Sequence, residues 1–376
     1  MIWDDSMVDL ETWMRVVHKK LELPNGKIVP NRIMRAATWM GQAEQDGTCG
    51  DTIIETYGKI RAGVVVTGFQ SVMDEGKSVR RMISNSKPSD AEGLKTLTGA
   101  IHASGGLAAA QLVHCGNKSL LKYTGTEVVF GPSDMMAPQP NGDIAQVKAM
   151  TVDHVERVTQ AYADAAKRAV EAGFDIIELH GAHSYGLWQF FDPSFNKRPK
   201  DDPYTGLTID GRSQAMVDAV QAMKNAVDIP IQVKVDSSSK VVSSEEVGEL
   251  AKRLAKAGAY CVILSGPNPS QNPRKVGEAY FLKDAETIRS IARDSGLLFG
   301  LVGGIRSPET VVNLLTLNAF DVIQLSRPLI SEPTLLDRWI EEAKTDKQEP
   351  ARCISCNKCF AAGLKGKVRC VQFEED

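Results

Sequence analysis

The chain has 376 residues, of which 43% are hydrophobic and 24% are charged, enough apolar sequence for one large α/β domain or two smaller ones. Its 44 basic and 47 acidic residues give a net charge of −3, and the basic residues form no long block, which argues against a nucleic-acid or anionic-membrane partner. No apolar run approaches the ~18 residues of a membrane helix, and the first five residues lack the basic start of a secretory signal. We therefore expect a cytoplasmic protein.

Short apolar runs alternate with amphipathic stretches from about residue 33 onward, which is the order of repeated strand–helix units. One helix is predicted over residues 153–172, where apolar residues recur at helical spacing. The candidate strands are 33–36, 64–67, 108–112, 175–179, 231–235, 260–264, 298–302 and 322–325. Eight such units predict an α/β fold of the (β/α)8 TIM barrel type, with a doubly wound open sheet as the alternative. We predict a barrel domain over residues 1–345 and a short C-terminal cysteine-rich extension over 346–376.

The barrel predicts that functional residues follow the C-terminal ends of the strands. Polar, basic or glycine residues do follow nearly every candidate strand, and residues 192–212, rich in Pro, Asp, Lys and Gly, form a predicted loop over that face. The strand-end residues are Ala36, Ala37, Thr38, Trp39, Gly68, Gln111, His114, His180, Lys234, Ser265, Gly266, Gly303, Gly304, Ser326 and Arg327.

The fourth strand ends in two imidazoles and a phenol within six residues, His180, His183 and Tyr185. The imidazoles can donate hydrogen bonds to one anionic oxygen, and Tyr185 carries a proton that ordinarily leaves near pH 10. The three residues are suited to holding an oxyanion and protonating a carbon. Alternatively, the histidines only satisfy backbone carbonyls.

The seventh and eighth strands end in Gly303-Gly304 and Ser326-Arg327, at the position where barrels commonly bind phosphate. Glycines let backbone amides approach an anion, and Arg327 can neutralise it. A pair of tight turns with an exposed arginine is the alternative. No GxGxxG or GxxxxGK motif indicates a dinucleotide fold or a P-loop.

Lys234 places a cation at the end of an apolar fifth strand, and Gln111 offers a donor and an acceptor at the end of the third. Each residue alone is more often structural. A phosphate site, an amide for a ring edge and a cation near developing negative charge together indicate flavin mononucleotide (FMN).

The chain also resembles the old yellow enzyme family, in order over roughly residues 20–340. The matching motifs are Leu21 to Gly26, Asn31 to Ile33, Asp46-Gly47, Gln111 to Gly116, Glu171 to Asp175, His180 to Tyr185, Gln189-Phe190, Asn196 to Arg198, Val302 to Arg306 and Arg327 to Ile330. The resemblance implies an FMN barrel that takes hydride from NADPH or NADH and passes it to an activated alkene. It places the flavin contacts at Ala36, Ala37, Thr38, Gly68, Gln111, Lys234, Gly303, Gly304, Ser326 and Arg327. It also implies that His180 and His183 bind the substrate carbonyl and that Tyr185 donates the proton.

Three positions depart from the family pattern. Trp39 stands where relatives have a small polar residue beside the flavin, which brings it into the substrate space and puts the flavin potential in question. Lys234 replaces the usual Arg, which keeps the charge but loses the bidentate fork. Ser326 replaces a usual Gly, and its backbone amide can serve equally.

Four of the seven cysteines, Cys353, Cys356, Cys359 and Cys370, crowd the C-terminal tail. They resemble the iron–sulfur segment of the 2,4-dienoyl-CoA reductases and trimethylamine dehydrogenases, which have one more residue between the second and third cysteines. In a reducing compartment such a cluster suggests metal, as an iron–sulfur cluster or zinc, before disulfide. Free thiols remain the alternative.

The sequence thus predicts an FMN-dependent, NAD(P)H-consuming reductase of α,β-unsaturated carbonyl compounds. We expect a small-molecule substrate, no nucleic-acid or membrane partner, and homo-oligomers as an open possibility. An amine or dienoyl-type dehydrogenase that uses the tail as electron exit is one alternative. A flavin-binding protein without turnover, with Trp39 blocking the substrate space, is another.

Overall fold

The computed structural model describes residues 8–267, 269–345 and 348–373. Eight parallel strands form a closed barrel, because the fourth strand pairs with the third as well as with the fifth. The strands are β1 (Ile33–Arg35), β2 (Val64–Val66), β3 (Leu107–Val113), β4 (Ile176–Gly181), β5 (Ile231–Asp236), β6 (Cys261–Ser265), β7 (Leu298–Val302) and β8 (Val322–Leu325). All eight predicted strands are confirmed to within a residue or two, and the closed order excludes the open sheet.

Helices follow the strands and pack around them. They are α1 (Asp51–Gly58), α2 (Ala91–Ala103), α3 (Val152–Glu171), α4 (Ile209–Ala226), α5 (Ser244–Ala257), α6 (Leu282–Ala292), α7 (Pro308–Thr316) and α8 (Leu335–Ala343). The predicted helix over 153–172 is α3, which begins where the Thr151 side chain accepts a hydrogen bond from the His154 amide. Helix α5 begins with a capping box of Ser243 and Glu246 and ends at Gly258 in the left-handed region.

Shorter helices, 3₁₀ turns and strands lie outside the eight strand–helix units. The helices among them are Leu10–Val16, Leu121–Thr124, Gly186–Phe191, Pro273–Val276, Arg327–Ser331 and Lys358–Lys365, and single 3₁₀ turns lie at Asp74–Gly76, Pro88–Asp90, Gly116–Lys118 and Arg293–Ser295. The strands Gln70–Ser71 and Ile83–Ser84 extend the main sheet beside β3. The strands Val129–Gly131, Met135–Pro138 and Ile144–Ala149 form a separate three-stranded sheet between β3 and α3.

The core has an inner and an outer part. Inward-facing residues such as Met34, Val64 and Ile263 fill the barrel, and the hairpin of Leu21–Glu22 with Ile28–Val29 packs against them. The outer part lies between strands and helices and is larger. Because the strands are buried on both faces, they read as continuous apolar runs.

The tail returns to the barrel. The Ala351 amide and the Arg306 carbonyl are hydrogen-bonded at 2.7 Å, and the Val368 amide donates to the Met40 carbonyl at 2.8 Å. Residues 346 and 347, at the start of the predicted C-terminal extension, lie outside the described residues, as do residues 1–7 and 374–376 at the ends of the two predicted domains. None of the helices in the described ranges has the length and apolar character needed to cross a membrane.

Candidate active site

A cavity of about 260 Å³ opens at the C-terminal ends of the barrel strands. It brings together all but one of the residues predicted to bind cofactor or substrate: Ala36, Ala37, Thr38, Trp39, Gln111, His180, His183, Tyr185, Lys234, Gly303, Gly304, Ser326 and Arg327. These residues come from β1, β3, β4, β5, β7 and β8 or the turns after them. Their convergence follows from the parallel barrel, in which all strands end at the same face.

Gly68 does not line this cavity. Its amide donates a hydrogen bond of 2.6 Å to the buried Tyr57 hydroxyl, and a Cβ at this position would lie 2.8 Å from the Thr38 carbonyl oxygen. Gly68 therefore packs against the turn after β1 on the side away from the cavity. Its role in cofactor binding stays a prediction, and this geometry does not favour it.

His180, His183 and Tyr185 form one aromatic cluster. The His180 ring lies edge-on to both His183 and Tyr185, with ring centroids 5.4 Å and 4.9 Å away. The Ala182 amide donates to His180 Nδ1 at 3.3 Å, which places the His180 proton on Nε2, the nitrogen that can donate to a ligand. Phe69 packs against Tyr185 with a centroid separation of 5.6 Å and completes the wall.

The backbone at His183 is held in an unfavourable conformation. His183 and Ser184 have φ values of 58° and 56°, in the left-handed region that few side chains adopt. The His183 amide donates to Asp236 Oδ2 at 2.7 Å, and Lys118 Nζ donates to the His183 carbonyl at 2.7 Å. His183 Nε2 also lies 2.9 Å from Ser265 Oγ. Contacts from three other segments thus hold this imidazole at the cavity wall.

The charge states of these groups follow from burial. Burial, together with the cation of Lys234, lowers the pKa of His180 and of His183 well below the usual value, so both imidazoles are neutral at neutral pH. Burial also raises the pKa of Tyr185, which keeps its phenol protonated. The site therefore offers neutral N–H donors beside a protonated phenol.

Gln111 belongs to a buried amide network around Glu178. Glu178 Oε1 accepts from Gln111 Nε2 at 2.6 Å, and Oε2 accepts from Gln232 and Gln324 at 2.6 Å and 2.8 Å. The side-chain nitrogen of Gln111 is hydrogen-bonded to Glu178, so its side-chain oxygen Oε1 is left for a ligand in the cavity.

Lys234 is a buried cation at the floor of the cavity. Burial lowers the pKa of Lys234, while the carboxylates of Glu178 and Asp236 act in the opposite direction. Within the described residues no carboxylate lies within 4 Å of its ammonium and no hydrogen bond involves it. A buried cation of this kind suits a ligand that carries negative charge.

The turn after β7 requires glycine. Gly303 and Gly304 have φ values of 140° and 72°, and a Cβ at Gly303 would lie 2.6 Å from the Phe281 ring. A Cβ at Gly304 would collide with the Tyr280 ring. The turn therefore brings bare backbone to the cavity, as an anion-binding turn needs.

Arg327 lines the cavity but is also bonded to the tail. Its Nη1 donates to Asn357 Oδ1 at 2.8 Å, and its Nη2 donates to the Gln271 carbonyl at 2.9 Å. Asn357 Nδ2 in turn donates to the Ser270 carbonyl at 2.8 Å. Since a guanidinium has five N–H donors, a phosphate can use those that remain.

The tail forms part of the cavity wall, which was not expected from the sequence. Cys353, Ser355 and Phe360 line the cavity. Trp39 lines it too, and its indole N–H donates to the Arg80 carbonyl at 2.9 Å. The Trp39 ring packs so closely on the tail helix that a Cβ at Gly363 would lie 3.1 Å from it. Trp39 thus contacts both the cavity and the tail helix.

The four tail cysteines line one small cavity of about 20 Å³ and form no disulfide. Burial and the neighbouring thiols of Cys353 and Cys356 raise the pKa of Cys359 to about 11. In residues 8–267, 269–345 and 348–373 no group of three or more metal-ligating side chains is arranged to hold an ion. The cysteines are therefore gathered but not positioned as ligands in this geometry.

Several site residues could not be found from the sequence. Glu178 sits inside a strand that reads as apolar, and Lys118 lies in a 3₁₀ turn just beyond the motif Gln111 to Gly116. Asp236 did carry a signal, because it ends β5 two residues after Lys234. Phe69 follows Gly68 and looked like ordinary core sequence.

The pattern of the NADH:flavin oxidoreductase / NADH oxidase family matches residues 21–346, and the chain belongs to this family. The family is that of the old yellow enzyme homologues, with FMN as cofactor and NAD(P)H as reductant. The chain is an oxidoreductase of this type.

Among curated relatives, an NADH oxidase of Thermoanaerobacter brockii is 28% identical over 346 residues, which is 88% of this chain and 51% of the relative. The chain thus spans about half the length of that protein. An NADPH dehydrogenase of Bacillus pumilus is 29% identical over 77% of this chain and 83% of its own length. The solved old yellow enzyme homologue of Zymomonas mobilis superposes with a TM-score of 0.76 at 22% identity, covering 87% of this chain and 93% of the other.

The cavity fits FMN by its own chemistry. Gln324 Oε1 is buried and has no hydrogen-bond partner among the described residues, and the Gln111 carbonyl oxygen is likewise available. These acceptors suit the N–H groups of a flavin ring, and the Lys234 ammonium suits the negative charge of the reduced ring. Gly303, Gly304 and Arg327 supply backbone and charge for the terminal phosphate.

Proposed function

We propose that the protein reduces the carbon–carbon double bond of α,β-unsaturated carbonyl compounds at the expense of NAD(P)H. The observation that carries this proposal is the cluster of two neutral imidazoles and one protonated phenol at the cavity wall. FMN, when bound, supplies a two-electron carrier between the nicotinamide and the alkene.

The imidazoles would bind the substrate carbonyl. His180 Nε2 carries the proton, and His183 Nδ1 faces no protein partner in the described residues while Nε2 contacts Ser265. Neutral N–H donors stabilise the negative charge that grows on a carbonyl oxygen when its β-carbon is reduced. Asp236 and Lys118 keep His183 in place for this task.

Tyr185 would protonate the α-carbon. A proton donor must hold its proton until the carbanion forms, and burial raises the pKa of Tyr185 as that role requires. Lys118 Nζ lies 5.1 Å from the centroid of the Tyr185 ring, a cation that would ease the departure of the proton.

The test is anaerobic turnover of the FMN-loaded protein with NADPH and cyclohexenone. We expect NADPH oxidation to depend on the enone and to yield cyclohexanone. Reduction of bound FMN without any consumption of the enone would contradict the proposal.

Two alternatives are distinguished by this experiment together with a second one in which an amine replaces NADPH. A dehydrogenase that oxidises an amine and passes electrons out through the tail would be reduced by its amine and would not need NAD(P)H; the gathered tail cysteines are the observation in its favour. A flavin-binding protein without turnover would leave both reductant and enone unchanged.

We also propose that any metal at Cys353, Cys356, Cys359 and Cys370 is structural, because the proposed reaction needs no second electron acceptor. Iron, zinc and sulfide content of anaerobically purified protein measures this. We further propose that the protein is cytoplasmic and acts on a small-molecule substrate.

A further inference from the structure

A second, larger cavity lies beside the candidate active site. This groove has a volume of about 860 Å³, against about 260 Å³ for the cofactor cavity. One wall comes from the segment 117–140, including the strand Met135–Pro138, and another from residues 78–80 and the tail helix. The groove is thus built by insertions on the barrel rather than by the barrel strands.

The groove and the cofactor cavity share a boundary. Trp39, Val79 and Tyr185 line both cavities. A molecule whose reacting carbon lies at Tyr185 can therefore extend directly into the groove. A small cyclic enone would leave the groove empty.

The groove wall is mostly apolar and exposed. Met136 and Leu364 are large apolar side chains that line the groove, yet they are 59% and 69% exposed. Contiguous exposed apolar surface of this kind marks a binding site. The body of the occupant is therefore apolar.

All charged residues that line the groove are basic. They are Arg80, Lys118 and Lys122, and no Asp or Glu from the described ranges joins them. Lys118 is engaged with the His183 carbonyl. Arg80 donates through Nη1 to the Leu364 carbonyl and keeps its other N–H groups, and Lys122 lies 5.8 Å from the Tyr123 ring centroid. Arg80 and Lys122 therefore remain for an anion.

We propose that the physiological substrate is an elongated apolar enone that carries a carboxylate. Its conjugated carbonyl lies at the histidines and Tyr185, its apolar body lies along the groove, and Arg80 and Lys122 bind its carboxylate. This proposal rests on the alkene reduction proposed above and adds the substrate class that the site selects.

The experiment compares two substrates that share the same enone and carry either a charged carboxylate or its neutral methyl ester. They are 4-(3-oxobut-1-enyl)benzoate and its methyl ester, assayed with NADPH and the FMN-loaded protein. We expect kcat/KM for the carboxylate to exceed that for the ester by about tenfold or more, since hydrogen bonds to charged groups are the stronger ones. In Arg80→Gln/Lys122→Gln the ratio of kcat/KM for the carboxylate to kcat/KM for the ester should fall to about one. Equal values for the two substrates in the wild type would overturn the proposal.

A matched control removes the same charge elsewhere. Lys95→Gln/Lys256→Gln changes two exposed lysines on the outer helices α2 and α5, and it should keep the wild-type preference for the carboxylate. An equal loss of preference in this control would mean that net charge, not the groove, selects the substrate. If Arg80→Gln/Lys122→Gln raised only the KM for NADPH, the groove would serve the dinucleotide and the proposal would be wrong.

A binding measurement separates this proposal from the proposed reaction. Calorimetry compares 4-(4-hydroxyphenyl)butanoate with its methyl ester, binding to the FMN-loaded protein without turnover. If the carboxylate binds more tightly than the ester and this difference is lost in Arg80→Gln/Lys122→Gln, the groove proposal is supported. This holds even if neither enone is reduced, because the absence of turnover would refute only the proposed reaction. Equal binding of acid and ester alongside normal enone turnover would refute only the groove.

Discussion

At the scale of single residues, the site depends on two imidazoles that stay neutral. Burial and the cation of Lys234 lower the pKa of both histidines, so they donate one N–H each without carrying charge. An anionic ligand should therefore meet two neutral N–H donors at neutral pH.

We predict that His180→Ala and His183→Ala each weaken the binding of a phenolate to the FMN-loaded protein by about 1.5–3 kcal/mol. The reason is the loss of one N–H donor to a charged oxygen. Calorimetry at several pH values measures this, and the affinity should rise as the phenol ionises. If the double variant His180→Ala/His183→Ala bound the phenolate as tightly as the wild type, these imidazoles would not hold the oxyanion.

Tyr185→Phe should slow alkene reduction by about 10²–10⁴-fold, because the α-carbon loses its proton donor. Reduction of bound FMN by NADPH does not use that proton and should stay nearly unchanged. Stopped-flow measurement of the two half-reactions distinguishes these outcomes. Equal losses in both would instead indicate that Tyr185 is needed for structure.

Asp236 should make the free energy of unfolding depend on pH. Burial raises the pKa of Asp236 to about 7, above its ordinary value of 3.8, against the opposing effect of Lys234 and Lys118. A folded-state pKa above the unfolded value stabilises the folded protein fully below about pH 3.8, and this contribution, on the order of 4 kcal/mol in total, is lost progressively as the pH rises from about 3.8 to about 7. Asp236→Asn keeps an acceptor for the His183 amide but does not titrate. The Tm difference between pH 5.5 and 8.5 should therefore be smaller in the variant, and equal differences would contradict this pKa.

At the scale of elements, the C-terminal tail is a wall of the cofactor cavity. It contributes Cys353, Ser355 and Phe360 to the lining and Asn357 to the bonding of Arg327. The tail helix also packs on Trp39. Barrel and tail therefore act together at this site.

We predict that deleting residues 353–376 weakens FMN binding by about 1–3 kcal/mol, because a hydrogen bond to Arg327 and apolar contacts are lost. Fluorescence titration of the apoprotein with FMN measures the change. Cys356→Ser/Cys359→Ser is the matched control, and it should retain both FMN affinity and enone turnover. If the deletion left FMN affinity intact, the tail would not be part of the site.

At the scale of the whole molecule, the closed barrel decides where chemistry can occur. Because eight parallel strands end at one face, residues from β1 to β8 meet in a single cavity although hundreds of residues separate them in the chain. The insertions at that face then add the groove.

We predict that the purified protein is yellow and releases FMN, not FAD, on denaturation. Arg327→Ala should weaken FMN binding by about 1.5–3 kcal/mol through loss of a charge-assisted contact to the phosphate. Arg157→Ala, at an exposed position of α3, is the control and should bind FMN as the wild type does. Unchanged affinity in Arg327→Ala would place the phosphate elsewhere.

The sequence by itself determined the barrel and most of the cavity. The eight strands could be read because each is a short apolar run between amphipathic stretches, and this pattern is local. The residues after those runs, such as Gln111, His180 and Lys234, could then be assigned to one face by the rule for parallel barrels.

Only the tertiary structure decided how these residues are held. Lys118 and His183 are 65 positions apart, and Arg327 and Asn357 are 30 apart, so no local pattern links them. The direction in which Gly68 faces depends on packing against Tyr57. The return of the tail to the cavity and the basic lining of the groove depend on contacts between distant segments, which sequence periodicity does not encode.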